Sequence, residues 1–207
     1  MDRVIIAKGA EAILYLEDWL GLRVLVKERV RKPYRLEEVD KRIRLRRTIN
    51  ESRNMIIAST LVPVPEIYDV DISRFIIRMR YINAPRLMDL LPARSDLLQL
   101  FAKYLAILHL NGIMHGDPTP ANALVSSDLY IIDFGLSAKM PGNTLSVEEA
   151  AIDLNILMKS LESNNMAELT QVAVDAYQGE LGSLGVSVIN QVKKMRKMAR
   201  YQLRGIQ

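Results

Sequence analysis

The chain has 207 residues, 49% of them hydrophobic and 25% charged, and no cysteine. That composition is globular rather than disordered and fits one compact domain or two small lobes; it excludes disulfides, cysteine–zinc centres and thiol nucleophiles. The net charge of +4 conceals two basic clusters, with eleven Lys and Arg against five acids in residues 27–53 and six against none in residues 193–207, which read either as solvated helix faces or as surfaces for phosphate-rich partners such as RNA.

From the start, Val4 to Leu16 reads as two short strands joined at Lys8-Gly9-Ala10-Glu11, where backbone amides beside Gly9 are candidates to cover phosphates. A turn at Trp19-Leu20-Gly21-Leu22 leads into the apolar strand Arg23-Val24-Leu25-Val26-Lys27, which delivers one lysine to an exposed position in a cleft. Pro33 breaks the chain, and Leu36 to Ala58 reads as a helix whose first acids, Glu37, Glu38 and Asp40, sit where the helix dipole favours them. Glu51 is the one acid between Lys41 and Ala58 and the candidate partner of Lys27. Pro63 and Pro65 end that element and introduce a hairpin, Ile67 to Asp71 against Phe75 to Met79. The segment after Met79 is read as the boundary between a first half, residues 1–79, and a second, residues 80–207. Ser95 is expected to cap a helix with Leu97, Leu98, Phe101, Leu105 and Leu108 on one stripe, ending at Asn111-Gly112.

The stretch His115 to Gly135 organises the rest. It reads His115-Gly116-Asp117, then Asn122 five positions after the Asp, then an apolar hairpin around Ser126-Ser127-Asp128, then Asp133-Phe134-Gly135. The spacing resembles a kinase catalytic loop followed by its metal-binding Asp. Oxygen-bearing side chains converging from neighbouring loops suit Mg²⁺, a hard cation. Beyond Gly135, Ser146-Val147-Glu148-Glu149 reads as a capping box opening a helix that runs through Ala150, Leu154, Leu157 and Leu161. Asp153 lies at the edge of that stripe and needs hydrogen-bond donors, for which the backbone amides of the catalytic loop are the expected source. A helix near Met166 to Tyr177 and a basic helix from Val186 to Leu203 complete the chain. The N-terminus lacks a charged-then-apolar signal pattern and no apolar run is long enough for a bilayer, so a soluble, cytoplasmic protein without membrane contact is expected.

Lys27-Glu-Arg-x-x-Lys32-x-Tyr34-Arg35, Arg47-Thr48-x-x-Glu51, His109 before Gly112-Ile113-Met114-His115-Gly116-Asp117, and Asp133-Phe134-Gly135-Leu136 together resemble the small atypical kinase/ATPase subunit of the KEOPS complex. The resemblance covers Gly9 to about Leu161. It implies an α+β, reduced bilobal protein-kinase-like fold, with an antiparallel sheet plus helix in the N-lobe and a mostly helical C-lobe. It also implies ATP and Mg²⁺ as cofactors and a role in making threonylcarbamoyladenosine on tRNA. The implied partners are a threonylcarbamoyl-transferase-type subunit and another small subunit; the charge of the basic C-terminal helix and of residues 27–53 is read separately as contacting tRNA, or else an acidic partner face. On matching positions Lys27, Glu51 and Asp117 would be catalytic, and Asn122 and Asp133 the metal ligands. Gly9, Lys27, Met79, Tyr81, Leu124 and Ile132 would line the ATP site.

Departures from a typical kinase bear on the activity. Gly116 stands where many kinases carry an Arg that receives an activation-loop phosphate, there is no Ala-Pro-Glu motif, and Thr119 stands where a catalytic-loop Lys is common. ATP hydrolysis coupled to a partner is therefore favoured over broad protein phosphorylation, with autophosphorylation on Ser or Thr also compatible. The alternatives are a Rio-type atypical kinase and a small-molecule phosphotransferase of the aminoglycoside or choline kinase type. Only about seventy residues follow the hairpin, which leaves little for a small-molecule pocket, and the Lys32-x-Tyr34-Arg35 element argues against the Rio type. A pseudokinase is disfavoured because Lys27, Glu51, Asp117, Asn122 and Asp133 are all present.

Overall fold

A computed structural model describes residues 3–204, without the side chains of Asn143 and of residues 200–204. Arg200, Leu203 and Arg204 of the expected basic helix therefore lie outside the described side chains. Five strands form an antiparallel sheet: β1 (Val4–Lys8), β2 (Ala12–Trp19), β3 (Leu22–Arg29), β4 (Ile67–Asp71) and β5 (Ile76–Arg80), in the order β1-β2-β3-β5-β4. β2 and β3 pair continuously from Ala12↔Arg29 to Trp19↔Leu22. Their two-residue loop has positive φ at both Leu20 (51°) and Gly21 (81°), the backbone that matches the twist of a tight hairpin.

α1 (Glu37–Ala58) connects β3 to β4, and its first-turn acids are placed as the sequence expects. Met55 and Ala58 bury against Ile77 and Met79 of β5 in a core cluster that continues into the helical part. The other face of the sheet carries a small separate cluster, Val24, Val26 and Ile76, covered by Tyr15, Trp19 and Tyr68.

The helical part begins with a short α2 (Leu87–Leu90) and α3 (Ser95–Leu110). Arg94, not Ser95, occupies the cap position of α3, and Ser95 is its first helical residue. β6 (Ile113–Met114) pairs with β9 (Ala138–Lys139), and β7 (Ala123–Val125) with β8 (Leu129–Ile131). The second pair is the expected hairpin; the first was not anticipated. α4 (Val147–Ser163) starts after Ser146, whose hydroxyl donates to the Glu149 carboxylate instead of capping a backbone amide. α5 (Leu169–Leu181) begins later than the sequence suggests, because Met166 folds back so that its amide bonds to Leu161 O at 2.9 Å. α6 (Ser183–Arg204) packs on both α4 and α5. Among the described residues no helix is long and apolar enough to cross a membrane.

Candidate active site

Strand alternation decides what β3 offers each side. Val24 and Val26 point into the outer cluster, so Leu25, Lys27 and Arg29 face a cleft on the opposite side. α1 contributes Arg47, Glu51 and Met55 to the same cleft, residues four apart and hence on one helical face. Lys27 Nζ donates to Glu51 Oε1 at 2.6 Å and to Asp133 Oδ1 at 2.8 Å, while Arg29 binds the other Glu51 oxygen. The expected Lys27–Glu51 pair forms, but Lys27 is not an exposed lysine: 13% of its side chain is accessible, against 1% for Glu51. Burial by itself would lower the Lys27 pKa, and the carboxylates of Glu51 and Asp133 more than offset it, holding the ammonium above its ordinary value. Asp133 responds in kind, since burial would raise it and Lys27 outweighs burial, keeping the carboxyl below the usual carboxylate range.

The catalytic-loop segment is fixed from beneath. Asp153 of α4 is fully buried, and its carboxylate accepts from His115 N (2.6 Å), Gly116 N (2.9 Å) and His109 Nε2 (3.1 Å). Backbone amides of this loop were the donors expected from the sequence; His109 was not foreseen. With its Nε2–H given to Asp153, His109 accepts at Nδ1 from the hydroxyl of Tyr177 on α5, at 2.6 Å. Burial and the nearby Asp153 carboxylate push the Tyr177 phenol well up, so it remains a donor. His115 donates from Nε2 to Ile132 O at 3.1 Å and accepts at Nδ1 from Asp117 N at 3.3 Å. Burial drives its imidazole below the ordinary value, and Asp153 offsets only part of that.

Gly116 has a local reason to be glycine. Its φ is +87°, and an added Cβ would stand 2.4 Å from Leu136 O, so any side chain would force the loop off the segment that follows Asp133. Asp133 itself has φ 61°, ψ 69°, a left-handed conformation that is uncommon for a residue with a Cβ and clusters at functional sites. The two loops are tied at their base by Ile132 N to Asn122 O, 2.9 Å, and the β7–β8 hairpin is anchored by Val125 N to Pro85 O and Ile131 N to Pro63 O, each 2.9 Å.

Asn122 Nδ2 donates to Asp117 O (2.9 Å) and Oδ2 (2.8 Å), which commits the amide nitrogen and leaves Oδ1 as the oxygen available to a cation. Both hydrogen bonds of Asp133 fall on Oδ1, from Lys27 and Gly135 N, which leaves Oδ2. An amide oxygen and a carboxylate oxygen from adjacent loops fit Mg²⁺. No group of three or more His, Cys, Asp or Glu gathers elsewhere among the described residues as a metal cage.

The cleft has a volume of about 580 Å³, within the range of small-molecule and cofactor sites. Gly9, Lys27, Met79, Tyr81, Leu124 and Ile132 all line it, together with Glu51, Asn122 and Asp133. Asp117 does not form its wall; it stands behind Asn122, half-buried. Five charged residues of the cleft were given no role from the sequence: Glu11, Arg29, Arg47, Arg80 and Arg86. Arg29 lies two residues after Lys27 on one strand and Arg47 one turn before Glu51 on one helix, so periodicity gives each its face, while the acids that hold them come from elsewhere in the chain.

Residues 37–169 match the ABC1 atypical kinase-like domain. The chain belongs to this family. A probable bifunctional tRNA threonylcarbamoyladenosine biosynthesis protein of Methanocaldococcus jannaschii is 32% identical over 202 residues, covering 95% of this chain and 37% of that protein. The protein of the same name from Methanosarcina acetivorans is 36% identical over 199 residues, with 93% and 35% covered. This atypical kinase-like chain thus spans about a third of the length of those relatives. The KEOPS complex subunit Bud32 of Pyrococcus abyssi is matched nearly end to end, at 31% identity over 214 residues, 97% of this chain and 94% of that one. Among solved structures, a Rio2 kinase–ADP/Mg²⁺–phosphoaspartate complex from Chaetomium thermophilum aligns with a TM-score of 0.59 at 17% identity, over 93% of this chain and 70% of that one. That likeness concerns the fold: an N-terminal antiparallel sheet and a helical part with a cleft between them.

Proposed function

We propose that the chain is a Mg²⁺-dependent ATPase and atypical serine/threonine kinase subunit that works in a KEOPS-type complex modifying tRNA to threonylcarbamoyladenosine. The observation that carries this reading is the cleft in which Lys27, bound to Glu51 and Asp133, faces Asn122 and the apolar wall of Met79, Leu124 and Ile132. Residues 1–79 act as the N-lobe and 80–207 as the C-lobe, with the segment around Met79 and Tyr81 meeting the adenine and the turn at Gly9 covering the phosphates. Lys27, oriented by Glu51, contacts the α- and β-phosphates. Asp117 accepts the proton of the attacking hydroxyl or water, its backbone fixed by His115 and its carboxylate by Asn122. Mg²⁺ held by Asn122 and Asp133 would neutralise charge developing on the phosphates.

Hydrolysis coupled to a partner is favoured over phosphorylation of protein substrates. Only residues 134–146 separate Asp133 from α4, and part of that segment is paired as β9 with β6, which leaves no extended platform for a peptide. The near end-to-end match to a KEOPS subunit at 31% identity, against 17% for the Rio2 kinase, supports the KEOPS reading over the Rio alternative. A threonylcarbamoyl-transferase-type subunit and another small subunit are the proposed protein partners, and the cytoplasm the proposed compartment. tRNA would be met by the phosphate-binding surfaces of α6 and residues 27–53, where Lys193, Lys194 and Lys197 are exposed. Arg196 is excepted, because it bonds to Asn155 at 2.7 Å and Glu162 at 2.6 Å and fastens α6 to α4. The test is phosphate release from ATP by the chain alone, then with the partner subunit and tRNA. Mg²⁺-dependent release that rises in their presence is expected; no release under any of these conditions would overturn the reading.

A further inference from the structure

Arg47 lies on the cleft face of α1, one turn before the carboxylate that holds Lys27, so about 6 Å of helix separates the two positions. Its partner is unusual. Glu11, in the turn between β1 and β2, takes Arg47 Nη1 on Oε2 at 2.8 Å and Arg35 Nη2 on Oε1 at 3.2 Å. One carboxylate is thus held by two guanidinium groups, on a turn that closes through Gly9 N to Ala12 O at 2.9 Å. Burial would raise the Glu11 pKa, but Arg35 and Arg47 outweigh it, so this group is anionic at neutral pH.

The cations that face the inner end of the cleft are unequal. Lys27 and Arg29 share the buried Glu51 carboxylate, so moving either takes a bond from a buried charge. Arg47 is different, being 31% exposed and bound to a carboxylate that is 38% exposed. If Arg47 moves away, Glu11 keeps Arg35, which has a further buried donor, Nη1, without a hydrogen-bond partner among the described residues. The exchange leaves no charge stranded. A planar guanidinium is also the cation best shaped for two phosphate oxygens.

We infer that Arg47 is a phosphate-binding residue of the nucleotide site, held in readiness by Glu11 and transferred from that carboxylate to the terminal phosphates of a nucleoside triphosphate when one enters the cleft. This rests on the nucleotide reading of the cleft, and assigns a role to the Arg47-Thr48-x-x-Glu51 segment beyond that of Glu51. The arginine's gain from a charged phosphate contact must exceed its gain from Glu11, so triphosphate binding carries the contribution and nucleoside binding does not.

Binding of ATP and of adenosine in the presence of Mg²⁺ is measured by calorimetry for the wild-type chain, Arg47→Gln, Arg47→Lys and Glu11→Gln. Arg47→Gln is expected to weaken ATP on the order of tenfold or more, the effect of one charge-assisted contact, and to leave adenosine unchanged. Arg47→Lys, which keeps the stem and charge but not the fork, falls between. Glu11→Gln removes the competing anion and tightens ATP several-fold. Adenosine binding reports whether a variant is folded. The inference is overturned if the ratio of ATP to adenosine affinity is the same in Arg47→Gln as in the wild type, or the same in Arg47→Lys should Arg47→Gln not fold. A wild-type chain that binds neither ligand would instead refute the nucleotide reading and this inference with it.

Discussion

Asp153→Asn should damage both stability and turnover, through a residue that need not touch the nucleotide. The wild-type carboxylate is fully buried and accepts from two loop amides and from His109. Hydrogen bonds to a charged group contribute about 1.5–3 kcal/mol each. Asn retains one acceptor oxygen, which can serve His115 N and His109 at the place of Oδ2, but its NH₂ group then meets Gly116 N donor to donor and the charge that strengthened all three bonds is gone. A cost of about 3–5 kcal/mol follows, the range for breaking a buried charged network. For a chain of this size each kcal/mol lowers Tm by about 2–4 °C, so a thermal scan should show a fall of about 10 °C. The same loosening shifts the loop that carries Asp117, and a displacement of about 1 Å in a reacting group is enough for a loss on the order of 10². ATP turnover by the folded variant, below its Tm, should therefore fall in kcat with little change in KM. An Asp153→Asn protein with the wild-type Tm and the wild-type kcat would refute the reasoning.

Glu51→Ala should destabilise more than Lys27→Ala in denaturant unfolding, because the first leaves the buried Arg29 without its carboxylate while Lys27 keeps only Asp133, whereas after the second Glu51 keeps Arg29; equal losses would contradict the shared pairing. Burial depresses the pKa of His115, so the unfolded chain takes up a proton near its ordinary value of about 6.5 while the folded chain does not. Its contribution to stability is therefore complete above that pH and is lost as pH falls toward the folded value; stability profiles of wild type and His115→Asn should diverge in slope below about pH 6.5. Replacing Lys193, Lys194 and Lys197 together by Gln, with Arg196 intact, should weaken tRNA binding and lower the salt slope by about 2, at about 0.7–0.9 per phosphate contact. An unchanged slope would leave α6 a merely solvated helix.

Much of the site could be read from the sequence because it depends on local spacing. The Lys27–Glu51 pair was reached from one strand lysine and the one acid in a basic helix read together with the neighbouring kinase-like motifs, and the support of the loop by Asp153 from a carboxylate at the edge of an apolar stripe. The β7–β8 hairpin declared itself by two apolar runs around Ser126-Ser127-Asp128. What escaped depends on tertiary contact. A two-residue strand such as β6 or β9 has no periodicity to detect. Arg29, Arg47 and Arg196 look like solvated cations until the acids across the fold, Glu51, Glu11 and Glu162, are placed beside them. His109, noticed only as part of the motif ahead of Gly112, stands one residue before the end of α3, and its partners are 44 and 68 residues away. Gly116 appeared only as a departure from a typical kinase, and its cause, the approach of Leu136 O, is a contact between two loops.

The central claim is that the cleft turns over ATP with Mg²⁺ through Asp117 and Asp133, and the most direct measurement compares ATP hydrolysis by the wild-type chain and Asp133→Ala, each with its partner subunit, across a Mg²⁺ titration. Loss of the metal carboxylate should reduce turnover by a factor on the order of 10² or more, as expected where charge stabilisation dominates, and should blunt the Mg²⁺ dependence. Full Mg²⁺-dependent turnover by Asp133→Ala would contradict the account.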